Sequence, residues 1–282
     1  RATGHVVVYA KELDEEGNVI REYEITPEDF GRVAASRAFS VIAQRLKEAD
    51  DDAVVAQFAG KEGDIVSGVI QQGSDRNLIF IKIDGAEAVE GVLPPEERVP
   101  GEDYSHGTRL RSFVVSVKRG PKGPVITLSR SHPKFVEKLF RLNVPEIEDG
   151  TVSIMGIARE AGRRTKIAVR ANVPGVNPKG SCIGKGYERV RAVMAELNGE
   201  KIDIVDYSDD LAEYVALALS PAEYISYELV DPEINRVRVI VPFYKKSLAI
   251  GKEGQNTQLA ARLTGAKIDI VADDEIPENP DL

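Results

Sequence analysis

The feature that most constrains the fold is an internal repeat in the C-terminal half of the chain. Residues 183–185 (Ile-Gly-Lys) are followed by Gly-Glu-Lys-Ile-Asp-Ile-Val at 199–205. Sixty-seven residues further on, residues 250–252 repeat Ile-Gly-Lys and are followed by Gly-Ala-Lys-Ile-Asp-Ile-Val at 265–271. From the glycine of Ile-Gly-Lys to the glycine that begins the second string, the distance is 15 residues in the first copy and 14 in the second. Self-similarity at a fixed period indicates that one folding unit is used twice.

Each copy has the pattern strand, strand, helix, glycine turn, helix, strand. In the second copy the predicted elements cover residues 223–230, 236–241, 246–250, 255–263 and 266–271, and a helix at 210–219 precedes them. We therefore predict two α+β domains, at 132–207 and 208–274, followed by an acidic tail at 275–282.

Upstream of the repeat the hydrophobic period changes to two. Five strand-like runs, separated by Gly, Pro and Asp clusters, cover residues 64–71, 77–83, 88–93, 108–118 and 124–129. Such a series is typical of a small antiparallel barrel of the OB type, which we place at 60–131. A short helix is expected to begin at Pro133 and to run through Phe140.

The N-terminal residues 1–59 cannot enclose much core. Two strand-like runs end near residues 10 and 25, and Thr26-Pro27-Glu28-Asp29 has the composition of a helix start. One helix is predicted from 27 to about 58, with a fray or kink at Asp50–Asp52. This piece is either part of a larger domain or a rigid connector. The whole chain is thus a multi-domain α+β protein.

Composition narrows the possible functions. The 282 residues suggest two or three domains, and no apolar run approaches the roughly 20 residues that cross a bilayer. One cysteine and three histidines offer few ligands for a metal centre, so we expect neither a metal nor a cofactor. We also expect a cytoplasmic location and no membrane contact. The net charge is −9, yet residues 150–201 carry ten Lys and Arg against four Asp and Glu, a local +6. Phosphate binding responds to the local field, so a nucleic-acid partner remains open.

The second glycine turn is the sharpest motif. Gly251, Lys252, Glu253, Gly254 and Gln255 lie between two short predicted helices. Glycines at both ends of such a turn let a nucleic-acid backbone approach, and the next helix N-terminus favours phosphate. This arrangement is the GXXG clamp of a KH domain, which holds about four nucleotides of single strand, and the element order matches the type II arrangement.

The first copy departs from this motif because Tyr187 stands where the second glycine is expected. Either the turn re-registers around Gly186, or Tyr187 crowds the phosphate path and stacks on a base instead. Positive charge is still present, and a solvated basic face is the alternative reading. The candidate RNA-binding residues in and around this copy are Gly184, Lys185, Gly186, Arg189, Arg191, Lys179, Arg163 and Arg164.

The barrel is either structural or a second RNA-binding surface, since small barrels bind single strands through exposed aromatic and basic residues. Phe80 alternates with Ile79 and Ile81, so it points either to the core or to solvent. The stacking candidates are Phe80, His106 and Phe113, and the basic candidates are Arg109, Arg111, Lys118 and Arg119.

Signatures of catalysis are mostly absent, with no Walker loop, no His-Glu-x-x-His and no nucleophile beside a plausible base. Cys182 is predicted to be a small buried residue. Asp203 and Asp269 alternate with isoleucines in equivalent strands, and we predict outward, solvated positions for both. The chain is therefore not expected to be an enzyme.

The order of modules and several strings resemble a known family. A barrel opening with Glu-Gly-Asp-Ile-Val-Ser-Gly-Val-Ile resembles an S1 domain, and Ser-Leu-Ala-Ile-Gly-Lys-Glu-Gly-Gln-Asn follows in the second KH copy. Over about residues 60–272 the chain is similar to the NusA family of bacterial transcription factors. The resemblance implies that the N-terminal domain contacts RNA polymerase and that the S1–KH–KH array binds nascent single-stranded RNA. It also implies roles in pausing, termination and antitermination, with other antitermination factors as further partners. A monomer is expected.

Two other classes carry similar modules. RNA-processing enzymes such as phosphorolytic ribonucleases contain KH and S1 domains, but they need a catalytic domain that this sequence does not show. Ribosome-associated structural proteins usually carry a strongly basic total charge, and −9 counts against that class.

Overall fold

The computed structural model describes residues 9–13, 19–24, 30–73, 77–85, 89–120 and 123–275. The predicted turn at 15–18, the helix start at 26–29, part of the first strand-like run and most of the acidic tail lie outside them. The chain divides into two compact units. The smaller comprises residues 1–58 and 118–124, and the larger comprises 59–117 and 125–282.

The smaller unit contains a β-hairpin and one long helix. Strands β1 (Tyr9–Leu13) and β2 (Val19–Glu24) pair antiparallel. Helix α1 (Phe30–Ala59) is 30 residues long and continues through Asp50–Asp52, so the kink expected there does not occur. Asp52 forms an ion pair of 2.8 Å with Arg119, which neutralises part of the acidic run.

The five-stranded barrel predicted from the sequence is present and closed. Its strands are β3 (Ile65–Gln71), β4 (Ile79–Ile83), β5 (Glu90–Leu93), β6 (Arg109–Gly120) and β7 (Gly123–Ser129). They are ordered β3-β4-β5-β7-β6 around the ring. One pair departs from the antiparallel pattern, since β5 pairs parallel with β7. A closed ring of five strands cannot alternate direction all the way round, so at least one pair must be parallel.

The first repeat copy forms a three-stranded sheet covered by helices. After α2 (Pro133–Asn143) and α3 (Pro145–Glu148) come strands β8 (Val152–Glu160) and β9 (Arg164–Ala171). Helices α4 (Pro178–Ile183) and α5 (Glu188–Glu196) and strand β10 (Lys201–Asp206) complete it. The sheet order is β10-β9-β8, with β8 antiparallel and β10 parallel to β9.

The second copy repeats this topology. Helix α6 (Leu211–Ala218) precedes strands β11 (Ser226–Asp231) and β12 (Arg236–Val241). Helices α7 (Lys246–Ile250) and α8 (Gln255–Thr264) and strand β13 (Lys267–Ala272) follow. Again the middle strand pairs antiparallel with one neighbour and parallel with the other. The duplicated α+β unit predicted from the repeat is confirmed.

The barrel and the first repeat copy share one hydrophobic core. Phe113 from β6 is 3% exposed and belongs to the same apolar cluster as Phe135 and Leu139 of α2 and Val193 of α5. Beside this cluster the buried guanidinium of Arg130 pairs with Glu102 and, at 3.0 Å, with Glu196. The two modules are thus held by apolar packing and by charge together.

The two repeat copies also pack tightly against each other. A Cβ added to Gly156 of β8 would lie 3.2 Å from Leu263 and 3.4 Å from Tyr214, both in the second copy. Lys166 of β9 is fully buried, and its Nζ donates a 2.6 Å hydrogen bond to the carbonyl oxygen of Ser220. This packing leaves little freedom between the copies. Among the described residues, no helix is long and apolar enough to cross a membrane.

Candidate nucleic-acid interface

The second glycine turn has an unusual backbone. Gly251 ends α7 with φ 78° and ψ 168°, and Glu253 and Gly254 follow at φ 56° and 73°. Three of its four residues therefore have positive φ, a region that favours glycine. Hydrogen bonds from Gly251 N to Ser247 O (2.9 Å) and from Gly254 N to Gly251 O (3.1 Å) fix the turn.

The two glycines of this turn have different surroundings. A Cβ on Gly251 would lie 2.8 Å from the backbone nitrogen of Asn256. Asn256 cannot yield, because its buried Nδ2 donates to the carbonyl oxygens of Leu219 and Ala249 at 2.9 Å each. Around Gly254 the nearest atom is Gln258 Nε2 at 3.5 Å. Gly251 is thus required for packing, whereas Gly254 keeps open the space above the turn.

Side chains of the first repeat copy reach this turn. Gln255 Nε2 donates a 2.7 Å hydrogen bond to Glu160, and Arg163 lies 3.3 Å from the carboxylate of Glu253. Arg163 also pairs with Glu160 at 2.6 Å. The hydrogen bonds from Gln255 and Arg163 hold the pKa of the Glu160 carboxyl below its usual value. Lys252 is exposed. The sequence did not indicate that this β8–β9 hairpin, residues 160–163, touches the second turn.

The same hairpin also contacts Glu200 of the first copy and Val99 of the barrel. Gly162 N donates a 2.8 Å hydrogen bond to Glu200, and a Cβ on Gly162 would lie 2.7 Å from Val99 of the barrel. The β8–β9 hairpin is therefore the place where the barrel, the first repeat copy and the second glycine turn meet.

The first glycine turn keeps the register of the second. Gly184 has φ 75° and ψ 168°, and Gly186 and Tyr187 follow at φ 61° and 65°. These values match those of Gly251, Glu253 and Gly254 position by position. Re-registration around Gly186, one of the two alternatives left open by the sequence, is wrong. Tyr187 instead adopts the left-handed conformation that glycine adopts in the second copy.

Arg189 supports the first turn from beneath, as Asn256 supports the second. A Cβ on Gly184 would lie 2.6 Å from Arg189 Cγ. Arg189 Nη1 donates hydrogen bonds to Ser181 O (2.7 Å) and to the carboxylate of Glu146 (2.8 Å). Its contact with RNA stays a prediction. Lys185 and Gly186 are exposed, and Lys179 lies 3.5 Å from Asp206.

The backbone of Tyr187 gives a testable stability change. A non-glycine residue in the left-handed region costs about 1–2 kcal/mol. We expect Tyr187→Gly to raise the free energy of unfolding by about 1 kcal/mol, the rest being offset by the greater entropy of glycine in the unfolded chain. Urea unfolding followed by circular dichroism measures the change. Unaltered or lower stability would show that contacts of the ring outweigh the backbone strain.

Arg164 and Asp203 form an ion pair within the first repeat copy, beside the Lys166 side chain that reaches the second copy. Arg164 donates two hydrogen bonds, of 2.7 and 2.8 Å, to the Asp203 carboxylate, which also lies 3.0 Å from Lys166 Nζ. These hydrogen bonds raise the pKa of Arg164. The outward, solvated position predicted for Asp203 is wrong, because Asp203 is held in ion pairs with Arg164 and the buried Lys166 and is only 16% exposed. Its counterpart Asp269 is 42% exposed, as predicted.

The barrel candidates separate into buried and exposed residues. Phe113 cannot stack on RNA, because it is buried and stacks on His132 with ring centroids 4.8 Å apart. Phe80 is half-buried, and His106 is exposed. Phe80 pairs with Gln71, and Gly107 N bonds to Ile70 O, so Phe80 and His106 lie near the same end of β3.

The basic barrel candidates are mostly engaged. Arg109 pairs with Asp84, and Arg111 lies 3.7 Å from Glu196. Lys118 and Arg119 belong to the smaller unit, where Arg119 pairs with Asp52. Ion pairs of this kind reduce the positive charge that these side chains have available for binding phosphate.

Cys182 is fully buried in α4, as predicted, and burial raises the pKa of its thiol to about 12. A thiol with so high a pKa is not a nucleophile at neutral pH.

Comparison with known proteins identifies the family. The NusA-like first KH domain matches residues 130–207, and the NusA-like second KH domain matches residues 211–278. The transcription termination/antitermination protein NusA of Mycobacterium tuberculosis is 56% identical over 278 residues, 97% of this chain and 80% of that protein. This chain belongs to the NusA family. The proteins of the same name from Bacillus subtilis and Thermus thermophilus are 45% and 42% identical. Those alignments cover 93% and 88% of this chain, and 69% and 63% of the relatives.

The family assignment confirms the resemblance to NusA and the KH identity of the two repeat copies. The glycine turns described above are the GXXG segments of these KH domains, the second with both glycines and the first with Tyr187 in place of one. We refer to them below as the second and first KH turns.

Proposed function

We propose that this member of the NusA family is a non-catalytic transcription factor that binds nascent single-stranded RNA and contacts RNA polymerase. Through these contacts it modulates pausing, termination and antitermination. The observation that carries the proposal is the second KH turn, where open space above Gly254 adjoins the exposed Lys252 and the N-terminus of α8.

The turn has the properties that a phosphate backbone needs. No Cβ stands above Gly254, so a sugar-phosphate chain can come into van der Waals contact with the protein backbone. The free amide groups at the start of α8 and the ammonium of Lys252 both favour an anion there. A KH domain holds about four extended nucleotides, which a duplex cannot present.

Most of the local positive charge is used inside the protein. Of the ten basic residues at 150–201, seven form ion pairs: Arg159, Arg163, Arg164, Lys166, Arg170, Lys179 and Arg189. Binding that relies mainly on Lys185, Arg191 and Lys252 involves few phosphates. We therefore expect log K to fall with log salt concentration with a slope of about −2.

The proposal is tested by fluorescence-anisotropy titration with three ligands of equal length: an A/U-rich single-stranded RNA, its DNA equivalent and an RNA duplex. A length of about 12–15 nucleotides is enough for two KH sites and a connecting segment. Single-stranded RNA is expected to bind most tightly at both of two salt concentrations. Equal affinity for the three ligands would contradict the proposal.

The polymerase contact is assigned to the smaller unit. Helix α1 exposes Phe39, Ile42 and Leu46, which are 75%, 58% and 63% exposed and spaced to lie on one helix face. Unpaired apolar side chains in such a row favour a protein partner.

A pull-down with RNA polymerase tests this assignment. Ile42→Asp/Leu46→Asp is expected to abolish capture and to leave RNA affinity unchanged. Ser40→Asp/Gln44→Asp adds the same charge at the same spacing on another face of α1 and serves as the control. Equal capture of the two variants would contradict a contact through this face.

The ion pair between Arg163 and Glu253 predicts a coupling at the second KH turn. Removal of Arg163 leaves the Glu253 carboxylate unneutralised where phosphate is expected to approach. Arg163→Ala should therefore weaken RNA binding about threefold, as for an exposed ion pair. Adding Glu253→Gln should restore the affinity. If Arg163 contacts RNA directly, the second substitution will not restore it, so a titration of the four proteins distinguishes the two roles.

A further inference from the structure

Tyr187 has a strained backbone conformation that no capping hydrogen bond of its side chain compensates. Its φ is 65°, and it makes no side-chain capping hydrogen bond at the start of α5. The side chain is 60% exposed. Strained residues of this kind persist chiefly where the strain serves a site.

Arg191 lies one helical turn further along α5 and contacts the ring. Its guanidinium carbon is 5.8 Å from the centroid of the Tyr187 ring, within the range of a cation–π contact. The guanidinium covers part of one side of the ring. The rest of the aromatic surface is exposed, and the positive charge of Arg191 lies beside it.

Tyr187 occupies the position that Gly254 leaves open in the second KH turn. Since the backbones of the two turns match, the tyrosine Cβ and ring stand where a nucleic-acid backbone could approach the second turn closely. A nucleic-acid backbone therefore cannot approach the first turn as closely as it can approach the second. The first turn presents an aromatic surface instead.

We propose that Tyr187 and Arg191 form a base-stacking platform on the first KH turn, on which one nucleobase of a single-stranded RNA stacks. The inference rests on the proposed RNA-binding function and gives the first KH domain a mode of recognition that differs from that of the second. Stacking tolerates any base, because every base has a π face, but it requires that a base be present.

The test uses a single-stranded RNA in which 2-aminopurine replaces one base at a time. The fluorescence of 2-aminopurine is quenched when it stacks. Wild-type protein is expected to quench it at one position or at two adjacent positions. Tyr187→Gly should remove this quenching and weaken binding about tenfold. Tyr187→Phe, which keeps the ring, should retain both the quenching and the affinity. Arg191→Gln should reduce the quenching by loosening the ring.

The outcomes separate the platform from the proposed function. If wild-type protein does not bind single-stranded RNA, the proposed function fails and the platform with it. If wild type binds and Tyr187→Gly binds as tightly or more tightly with the same quenching pattern, Tyr187 is an obstruction and the platform alone is overturned. Tyr187→Gly relieves backbone strain, so misfolding cannot imitate the expected loss, and its melting temperature provides the check.

Discussion

Replacement of Glu200 by alanine is expected to lower the free energy of unfolding of the larger unit by about 3–5 kcal/mol. Glu200 and Arg159 form an ion pair of 2.9 Å whose side chains are 0% and 1% exposed. The Glu200 carboxylate also accepts hydrogen bonds from Gly162 N and the hydroxyl of Thr165. Without it, a guanidinium, an amide and a hydroxyl lose their acceptor in a site that excludes water.

Replacement of Glu200 should also disturb the RNA-binding surface. Glu200 fixes the β8–β9 hairpin through Gly162, and that hairpin holds Gln255 and Glu253 of the second KH turn. We therefore expect Glu200→Ala to weaken RNA binding even where the protein is still folded.

Urea unfolding followed by circular dichroism measures the stability, since the chain contains no tryptophan. Glu233→Ala, which removes an exposed carboxylate from a loop, is the control and should change the free energy of unfolding by less than about 0.5 kcal/mol. A loss below about 1 kcal/mol for Glu200→Ala would mean that water or a rearranged partner satisfies Arg159.

Local patterns predicted the elements well, because each is governed by residues near one another in sequence. The repeat and its glycine turns gave both KH folds, and the period-two runs gave the five barrel strands. These signals depend on the alternation of apolar residues and on glycine conformations, which neighbouring residues determine.

Contacts between modules could not be predicted in this way. Phe113 and Asp203 have the local patterns of surface candidates. Phe113 is buried against the first KH domain, and Asp203 pairs with Lys166, whose Nζ also bonds to Ser220 of the second copy. Arg163 was expected to contact RNA as one of a basic group, and its pairing with Glu253 joins residues 90 positions apart. Such pairings are set by how the domains pack, and a single sequence carries no periodic signal of that packing.

The first KH turn shows the same limit at a single residue. The sequence showed that Tyr187 departs from the motif but left open how the backbone responds. The conformation depends on whether the surrounding turn tolerates a left-handed tyrosine. Here Arg189 and the hydrogen bond from Tyr187 N to Gly184 O (3.2 Å) hold the turn in its original register.

Gly254→Asp is expected to weaken binding of single-stranded RNA at least about tenfold. The new side chain would occupy the open space above the turn, and its negative charge would repel a phosphate there. The added Cβ should meet no steric clash, because no atom lies closer than 3.5 Å to it, so the structural cost is the backbone strain of a non-glycine residue at φ 73°. A substitution at Gly251 would be a poorer test, since it collides with the backbone of Asn256.

Gly265→Asp is the matched control. Gly265 has φ 72°, close to the 73° of Gly254, and nothing lies within 4 Å of its added Cβ. Both variants therefore add the same charge and a similar backbone strain to opposite ends of helix α8. A difference in RNA affinity between them arises at the turn and not from a loss of stability.

RNA binding at the second KH turn is tested by an anisotropy titration of single-stranded RNA with wild type, Gly254→Asp and Gly265→Asp at one salt concentration. Gly254→Asp alone is expected to lose affinity, by about tenfold or more, while Gly265→Asp binds as wild type does. Equal affinities for Gly254→Asp and wild type would contradict it, because the second KH turn would then be a structural turn and not the RNA-binding site.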